Sequence, residues 1–514
     1  MAQAIDEEER YRDPAVEKRL AALDEEFVAV HPGVLVERDG VHVHHRREGD
    51  HVTVAVVSGE ALRALRARLA RFARFVSANG GSAPDGIDRL AAELSAPGSD
   101  LDAVETALRD DGLAASAAVY RRLLEAQYDD LDPPACPKCG GVMKRHGPKR
   151  AKTLTTRLGK VTVERSYCRC TGCGKGLCPL DARLGIEGRS MTPGAERMVM
   201  AAAAETGSRR ASQLVEELSG VRVSRSRFDR EARSLGSEVV EFERKEAPDA
   251  PDGPPLPVVS ADGTGVPMRK PELEGRAGRQ EDGTSKTREA KLLRICEVAR
   301  NRKGRVSAVA GSITQSSVID SAEASGGGMS AFAARLWREA KRRGAFHGDE
   351  VVILSDGAKW IENATRKVFA GMKLTFVLDI FHVLERLQDA LKEMMPDGPD
   401  RKAAFDRLKG LIKAGDAALA VEELATHGSR CEAVAEFVRY CRPNLYRMRY
   451  DECRRRGIPC GSGIIEGGCR TVVVDRLKKS GSRWSVDGAN GIMAIRCCKM
   501  NNRVADFFQW RLAA

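Results

Sequence analysis

Four short apolar runs in the second half of the chain constrain its fold more than any other feature. They are LPVVSAD (256–262), AKLLRICEVA (290–299), VVILSD (351–356) and LTFVLD (374–379), and helical stretches alternate with them. The pattern predicts strands alternating with helices. This order is typical of a sheet covered by helices, so we expect an α/β domain after the proline-rich linker at 245–257.

Two of these runs lead to an aspartate followed by glycine. Asp262 lies in PVVSADGTGV and Asp356 in VVILSDGAKW, and we expect each to end a strand, with Gly263 and Gly265 turning the chain into a second strand. Glu466 begins a predicted helix after the glycine-rich GSG. Carboxylates at neighbouring strand ends can converge and bind divalent cations that assist phosphodiester cleavage. Alternatively, each acid has an ordinary role in a turn or in the first turn of a helix.

A helical stretch follows the last apolar run. Asp379 is predicted to start its first helix, and His382 lies three positions later on the same face. Asp379 could instead act only as the helix N-cap. The pattern stays helical over 381–456, which places a helical segment between Asp356 and Glu466.

The region 131–182 contains two Cys-x-x-Cys pairs, Cys136 with Cys139 and Cys170 with Cys173. A tight turn within each pair directs both sulfurs inward, and four thiolates form a closed tetrahedral zinc site. The intervening TLTTRLGKVTVERSYC predicts a hairpin. We therefore expect a zinc ribbon with one structural Zn²⁺. One of the surplus cysteines, Cys168 or Cys178, could replace a named ligand, and four unmetallated cysteines are the alternative.

The region 190–245 is predicted to be helical. Within it, 211–236 reads as a helix, a Ser-Gly turn and a second helix that Ser224 could cap. A basic second helix is typical of a helix-turn-helix DNA reader, although many all-α proteins contain such a pair. The basic residues on the second helix are Arg225, Arg227, Arg230 and Arg233.

The region 1–130 is predicted to be mainly helical, with amphipathic helices at 61–76 and 102–126. Residues 34–57 alternate like a hairpin with His42, His44 and His45 at one tip, which we interpret as surface residues. The start of the chain lacks a signal-peptide pattern and no run of 18 apolar residues exists, so we expect a cytoplasmic, nucleoid-associated protein with no membrane partner. A net charge of +11 is common in nucleic-acid-binding proteins, although it also serves solubility.

Taken together, these motifs resemble a bacterial insertion-sequence DDE transposase of the ISKra group, from about residue 100 to the end. The resemblance rests on CPKCG, CTGCG, ADGTGVPM, KTREAKL, SDGAKWI, DIFHVLERL, GSGIIEGGCRTVVVDRLKKSGSRWS and NNRVADFFQW. It implies a multidomain protein with an α/β RNase H-like core in two parts, 256–380 and 457–514, interrupted by an all-helical insertion at 381–456. Asp262, Asp356 and Glu466 would be the catalytic triad, with Asp379 and His382 as an auxiliary element.

The resemblance also implies an activity and partners. The triad would bind two Mg²⁺ ions, with Mn²⁺ as a substitute, and catalyse cleavage and strand transfer at transposon ends. The partners would be double-stranded DNA, from transposon ends and target, and at least one further copy of the chain on that DNA.

Further DNA contacts are expected from basic residues near the acids and from one tryptophan. A solvated basic stripe, and a core position for the tryptophan, are the alternatives. These candidates are Lys286, Arg288, Arg470, Arg476, Lys478, Lys479 and Trp484.

Two rival functions stay open. A domesticated transposase could act as a non-catalytic DNA-binding regulator, although all three acids are present. An RNase H-like nuclease without a transfer step is the second, and the ribbon and helix pair favour a protein that finds defined DNA ends.

Overall fold

The structure is a computed structural model. It describes residues 36–38, 41–48, 51–57, 101–128, 132–246, 248, 256–276, 285–302, 304–319, 329–428, 431–461 and 463–513. The chain divides into two compact units, Met1–Arg122 and Leu123–Ala514. In the described part of the chain, no helix is both long and apolar enough to cross a membrane.

The first unit contains an antiparallel sheet of three strands, in the order β1-β2-β3. The strands are β1 (Val36–Arg38), β2 (Val41–Glu48) and β3 (His51–Val57). The predicted hairpin is therefore present, but the three histidines lie within β2 and not at a tip. The helix predicted at 102–126 corresponds to α1 (Leu101–Tyr128), while the helix predicted at 61–76 lies outside the described residues.

The cysteine-rich region forms two small sheets. One has the order β4-β7-β8 and the other is the predicted hairpin, in which Thr156 pairs with Gly159. Gly159 has a φ of +100°, a left-handed value that suits a residue without a side chain. The strands are β4 (Met143–Arg145), β5 (Arg150–Thr156), β6 (Gly159–Arg165), β7 (Cys168–Cys170) and β8 (Gly176–Leu177).

Four helices follow the cysteine-rich region. They are α2 (Pro179–Arg183), α3 (Pro193–Glu205), α4 (Ser208–Ser219) and α5 (Arg225–Lys245). Gly220 ends α4 with a φ of 69°, in agreement with the predicted Ser-Gly turn. Ser224 is the N-cap of α5 by position, but its side chain makes no capping hydrogen bond.

A five-stranded mixed sheet forms the centre of the second unit, in the order β13-β10-β9-β14-β15. The strands β9, β10 and β13 are antiparallel neighbours, whereas β14 is parallel to both β9 and β15. The strands are β9 (Val258–Pro267), β10 (Thr287–Cys296), β13 (Thr314–Ile319), β14 (Glu350–Ser355) and β15 (Lys373–Leu378); a separate ribbon pairs β11 (Val298–Arg300) with β12 (Val306–Ala308). All four apolar runs of the sequence contribute strands, so the α/β prediction is confirmed.

Alternate residues of these strands enter different cores, as expected from the two-residue period of a strand. Val259 and Leu293 pack in a core with α6 (Ala331–Arg342) and α7 (Lys359–Val368). Val258 packs in a second core with the helices that follow β15. Those helices are α8 (Ile380–Met394), α9 (Pro399–Ala414), α10 (Ala417–Ala425), α11 (Glu432–Cys441) and α12 (Tyr450–Arg456), with a 3₁₀ turn at Arg442–Arg447.

The last helices and α3 to α5 form a third core together with Leu292 of the sheet. The predicted helix-turn-helix region is therefore not a separately packed domain. Its longest helix, α5, crosses α15 where Gly236 meets Gly491. The last helical segments are α13 (Gly463–Gly468), a π-helical turn at Cys469–Val474, α14 (Asp475–Leu477), α15 (Val486–Met500) and α16 (Val504–Ala513).

We predict that Gly236→Ala destabilises the second unit. A Cβ at position 236 would lie 2.8 Å from Cα of Gly491, so the two helices must separate. Such overpacking costs roughly 1–3 kcal/mol, measurable as a lower denaturant midpoint. Gly410→Ala in α9 is the matched control, because a Cβ there meets nothing within 4 Å and alanine favours a helix by up to about 1 kcal/mol. Equal midpoints for the two variants would contradict the close crossing.

Candidate active site and metal centre

Asp262 lies on β9, and Asp356 directly follows the neighbouring parallel strand β14. Leu354 of β14 pairs with Ser260 of β9, and each aspartate lies two residues further along its chain. Neighbouring strands are about 4.8 Å apart, so the two carboxylates are within mutual electrostatic reach. Burial, and to a smaller extent the charge of Asp356, raises the pKa of Asp262 above its usual value.

Asp262 lies inside a strand and not at its end, which corrects the expectation from the sequence. β9 continues to Pro267, and Gly263 and Gly265 are strand residues rather than a turn. Their role is to admit side chains of β10, because a Cβ on Gly263 would collide with the carboxylate of Glu289 and one on Gly265 would lie 2.9 Å from Oγ1 of Thr287. These glycines therefore leave room for Glu289 and Thr287 against the strand that bears Asp262.

Asp356 follows the last residue of β14, as predicted. Its Oδ1 accepts a hydrogen bond from the backbone N–H of Ala358, 2.9 Å away, and Gly357 has a φ of +89°. A tight turn thus holds the aspartate at the sheet edge. This is the turn chemistry considered as the alternative, and it is compatible with a second role because the contact uses only one carboxylate oxygen.

Glu466 is exposed on α13, and the same helical segment contacts Asp262 one turn later. There, Sγ of Cys469 lies 3.5 Å from Oδ2 of Asp262. Cys469 is buried and Glu466 is exposed, so the place of Glu466 beside the two aspartates stays a prediction. The predicted segment between the second and third acids is present and helical.

Arg294 of β10 anchors the segment that carries Glu466. Its guanidinium donates to the carbonyl of Ile464 at 2.7 Å and to Oγ1 of Thr471 at 3.4 Å. Gly468 lies directly on this arginine, since a Cβ there would lie 2.5 Å from Nε of Arg294 and 2.8 Å from Cδ2 of Leu292. The glycine after the acid therefore allows α13 to lie against the sheet.

Asp379 is fully buried at the start of α8, where it accepts a hydrogen bond from the N–H of Phe381 at 3.0 Å. The capping role considered for Asp379 is therefore present. Nε2 of His382 lies 3.5 Å from its Oδ2, which confirms that the two share one helix face. The charge of His382 is close enough to lower the pKa of Asp262, against the larger effect of burial. The pair thus adjoins the two strand aspartates.

The basic residues predicted to contact DNA fall into two groups. Arg470 is exposed, and Lys478, also exposed, donates to Oγ1 of Thr264 at 2.6 Å, close to Asp262. The side chain of Lys479 is exposed and that of Lys286 is exposed next to β10. The side chains of these four residues are therefore accessible to solvent.

The other group lies inside the protein. Arg476 is 5% exposed and donates to the carbonyl of Ala203 at 2.9 Å, while its guanidinium covers the ring of Trp484. The indole N–H of Trp484 donates to the carbonyl of Leu477 at 2.9 Å. Arg288 is mostly buried beside Glu272. These three side chains stabilise the fold, which corrects their assignment as DNA contacts.

Three of the four arginines of α5 are exposed, namely Arg225, Arg230 and Arg233, and Arg233 pairs with Asp229 one turn earlier. Arg227 is half-buried and donates to the carbonyl of Ser190. The opposite face of α5 packs in the third core. Only one face of this helix is thus presented outward.

The four predicted zinc ligands come together in one cluster. Sγ of Cys136 lies 3.5 Å from Sγ of Cys173, Sγ of Cys139 lies 3.6 Å from Sγ of Cys170, and all four lie within 4.8 Å of one another. A tetrahedral Zn²⁺ with bonds of about 2.3 Å needs sulfurs roughly 3.8 Å apart, so the cluster could hold a zinc ion. Neither Cys168 nor Cys178 belongs to it.

The backbone around the cluster favours thiolates. The N–H groups of Cys173 and Gly172 point at Sγ of Cys170, at 3.5 and 3.4 Å, and these hydrogen bonds, with that of Cys173 the largest, lower the pKa of this thiol to about 6. Gly141 lies against two sulfurs, with a Cβ position 3.3 Å from Sγ of Cys139. A side chain at position 141 would therefore crowd the cluster.

Among the described residues, the four cysteines are the one group of three or more such side chains whose ligand atoms gather closely enough to hold a metal ion. Asp262 and Asp356 lie near each other, and Asp262, Asp356 and Glu466 do not form such a group.

Sequence reasoning missed Cys469 and Arg294. Both had a signal. Cys469 lies three residues after Glu466 in a predicted helix, which places it on nearly the same face. Arg294 is a charged residue in the middle of an apolar strand, and such residues are rarely buried without partners.

The model of the uncharacterised protein family UPF0236 matches residues 142–511, so the chain belongs to this family. No curated protein is significantly similar to it. Among solved structures, the Drosophila P element transposase strand transfer complex matches with 12% identity over 61% of this chain and 80% of that chain. Its TM-score is 0.22, and at this value the likeness carries no conclusion about fold or function.

We predict that Cys139→Ser lowers the zinc content of the purified, reduced protein, because a hydroxyl is a poorer zinc ligand than a thiolate. Metal analysis by mass spectrometry measures the ratio of zinc to chain. Cys178→Ala is the control, since Cys178 lies outside the cluster, and it should retain the wild-type ratio. A wild-type protein without zinc, or equal loss in both variants, would reject the assignment.

Proposed function

We propose that this member of the UPF0236 family is a DDE transposase, of the ISKra group of insertion sequences, that cleaves and joins DNA at the ends of its element. The observation that carries the proposal is the proximity of Asp262, on the central strand β9, to Asp356, which directly follows the neighbouring parallel strand β14. Carboxylates in this arrangement suit Mg²⁺ or Mn²⁺, which prefer oxygen ligands.

The architecture supports an RNase H-like core for this reaction. The mixed sheet has helices on both faces, and its strands come from 256–380, while Glu466 arrives on a helix of 457–514 that lies against the same sheet. The helices of 381–456 lie between the two parts and form their own core against β14 and β15. We assign these three ranges as first core part, insertion and last core part.

The residues divide the chemistry between them. Asp262, Asp356 and Glu466 would hold the cations, with Glu466 able to close on them because its side chain is exposed. Bound cations would activate an attacking hydroxyl and stabilise the leaving oxygen. Asp379 and His382 would orient groups beside Asp262, and Lys478 would neutralise a phosphate near Thr264.

DNA would be held by two further regions. The cysteine cluster (131–182) orders a small domain just before α3, and α5 presents Arg225 and Arg230 outward. We propose that this face of α5 and the exposed Arg470, Lys478 and Lys479 contact phosphates at the element's ends. Joining two ends requires at least two chains on the DNA.

The triad makes a direct prediction. Asp262→Asn, Asp356→Asn and Glu466→Gln should each lower the rate of Mg²⁺-dependent cleavage by at least about 10³-fold, since each removes a charge that holds the cations, worth several kcal/mol. The substrate is a plasmid carrying the DNA that flanks the coding sequence. Strand nicking on gels gives the rate, and binding to the same DNA in Ca²⁺ should persist.

The control for the triad is Asp406→Asn, an exposed carboxylate on α9 outside the site, which should cleave at the wild-type rate. Full Mg²⁺-dependent activity in any triad variant would reject that residue's role. Specific binding by a wild-type chain that never cleaves would favour a DNA-binding regulator instead.

A second prediction concerns α5. The double variant Arg225→Ala and Arg230→Ala should weaken DNA binding and reduce the slope of log affinity against log salt by about 2, because two phosphate contacts are lost. Fluorescence anisotropy at several salt concentrations measures both quantities. Arg233→Ala, whose arginine pairs with Asp229, is the control and should change the slope by less than 1. An unchanged slope in the double variant would remove α5 from the DNA interface.

A further inference from the structure

The insertion, α8 to α12, touches the turn that carries Asp356. The hydroxyl of Tyr440 on α11 donates to the main-chain carbonyl of Asp356 at 2.7 Å. A further hydrogen bond to this strand end comes from the N–H of Asp379, which donates to the carbonyl of Ser355 at 2.8 Å. A residue of the insertion therefore holds the main chain of a candidate cation ligand.

The ring of Tyr440 is itself fixed. The guanidinium of Arg386 on α8 lies 4.3 Å from the ring centroid, a cation–π distance. Nδ2 of Asn444 donates to the carbonyl of Tyr440 at 2.7 Å, and the same side chain lies against Gly357 in the turn. The hydroxyl thus approaches the Asp356 carbonyl from a position set by two helices of the insertion.

A second contact from the insertion reaches the helix after the turn. Arg447, 4% exposed, forms an ion pair with Glu362 in the first turn of α7. The turn at Asp356–Ala358 is therefore bounded on both sides by insertion residues. Its geometry depends on the insertion and not only on the sheet.

We propose that Tyr440 is a positioning residue for cation binding, through which the helical insertion holds the Asp356 turn in the conformation that presents its carboxylate beside Asp262. This inference rests on the proposed function. It assigns the insertion a task within the site, in addition to separating the second acid from the third.

Tyr440→Phe tests the inference, because it removes the hydroxyl and keeps the ring over which Arg386 lies. A lost hydrogen bond of this kind should weaken Mn²⁺ binding about 3- to 10-fold. Electron paramagnetic resonance of free Mn²⁺ with the full-length, zinc-loaded protein measures the affinity without any cleavage. Asp356→Asn defines which part of the Mn²⁺ binding belongs to the site.

Tyr450→Phe is the matched control. Tyr450 is another insertion tyrosine, fully buried, whose hydroxyl donates to the carbonyl of Leu378 at 3.0 Å, a residue that is not a candidate ligand. The Mn²⁺ affinity of Tyr450→Phe should lie within about 2-fold of wild type. A 2-fold difference is less than half the free energy that a typical hydrogen bond contributes. Thermal melting of both variants checks that each is folded.

Two results would overturn the inference. One is wild-type Mn²⁺ affinity in Tyr440→Phe, and the other is equal weakening in both tyrosine variants, which indicates a general structural role. If the wild-type protein shows no Mn²⁺ binding that Asp356→Asn removes, the cation site of the proposed function is itself rejected. Failure of this inference can therefore be distinguished from failure of the proposed function.

Discussion

The parallel pairing of β9 with β14 is the interaction on which the candidate site depends. It connects two strands that are far apart in sequence, and its last printed pair, Leu354 with Ser260, lies two residues before each of the two acids. A slip of one residue would turn every side chain of one strand to the other face of the sheet. The same pairing sets which residues enter which core, because Val258 and Val259 belong to different cores. Packing on both faces therefore fixes the register that the two acids need.

The proximity of Asp262 and Asp356 is electrostatically unfavourable. Two ionised carboxylates repel each other, and burial raises the pKa of Asp262. Close carboxylates are typical of functional sites, where a cation relieves the repulsion, although structural networks can also perturb pKa values. The glycines of β9, the turn at Gly357 and the anchoring of α13 by Arg294 all serve to place side chains around this point.

Much of the second unit could be predicted from sequence, because its signals are local. Four apolar runs gave four strands, and the Cys-x-x-Cys spacing gave a cluster with the right four sulfurs. What could not be predicted depends on tertiary contacts. Gly263 and Gly265 had the composition of a turn, but the side chains of β10 require them inside a strand. Arg476 and Trp484 are residue types that are common in DNA-binding surfaces. In the structure, however, their side chains donate hydrogen bonds to the main-chain carbonyls of Ala203 and Leu477, respectively.

The crossing of α5 and α15 at Gly236 and Gly491 has a consequence for biosynthesis. The helix that carries Arg225 and Arg230 leaves the ribosome early, whereas its packing partner is made only after the whole sheet and the insertion. Until the last helices are made, the apolar face of α5 lacks many of its packing partners. The buried ion pair between Glu196 of α3 and Arg511 of α16 also cannot form before then. In a growing or truncated polypeptide the outward face of α5 consequently lacks its full support, and the packing of α5 is completed only after the helix that bears Glu466 has been made.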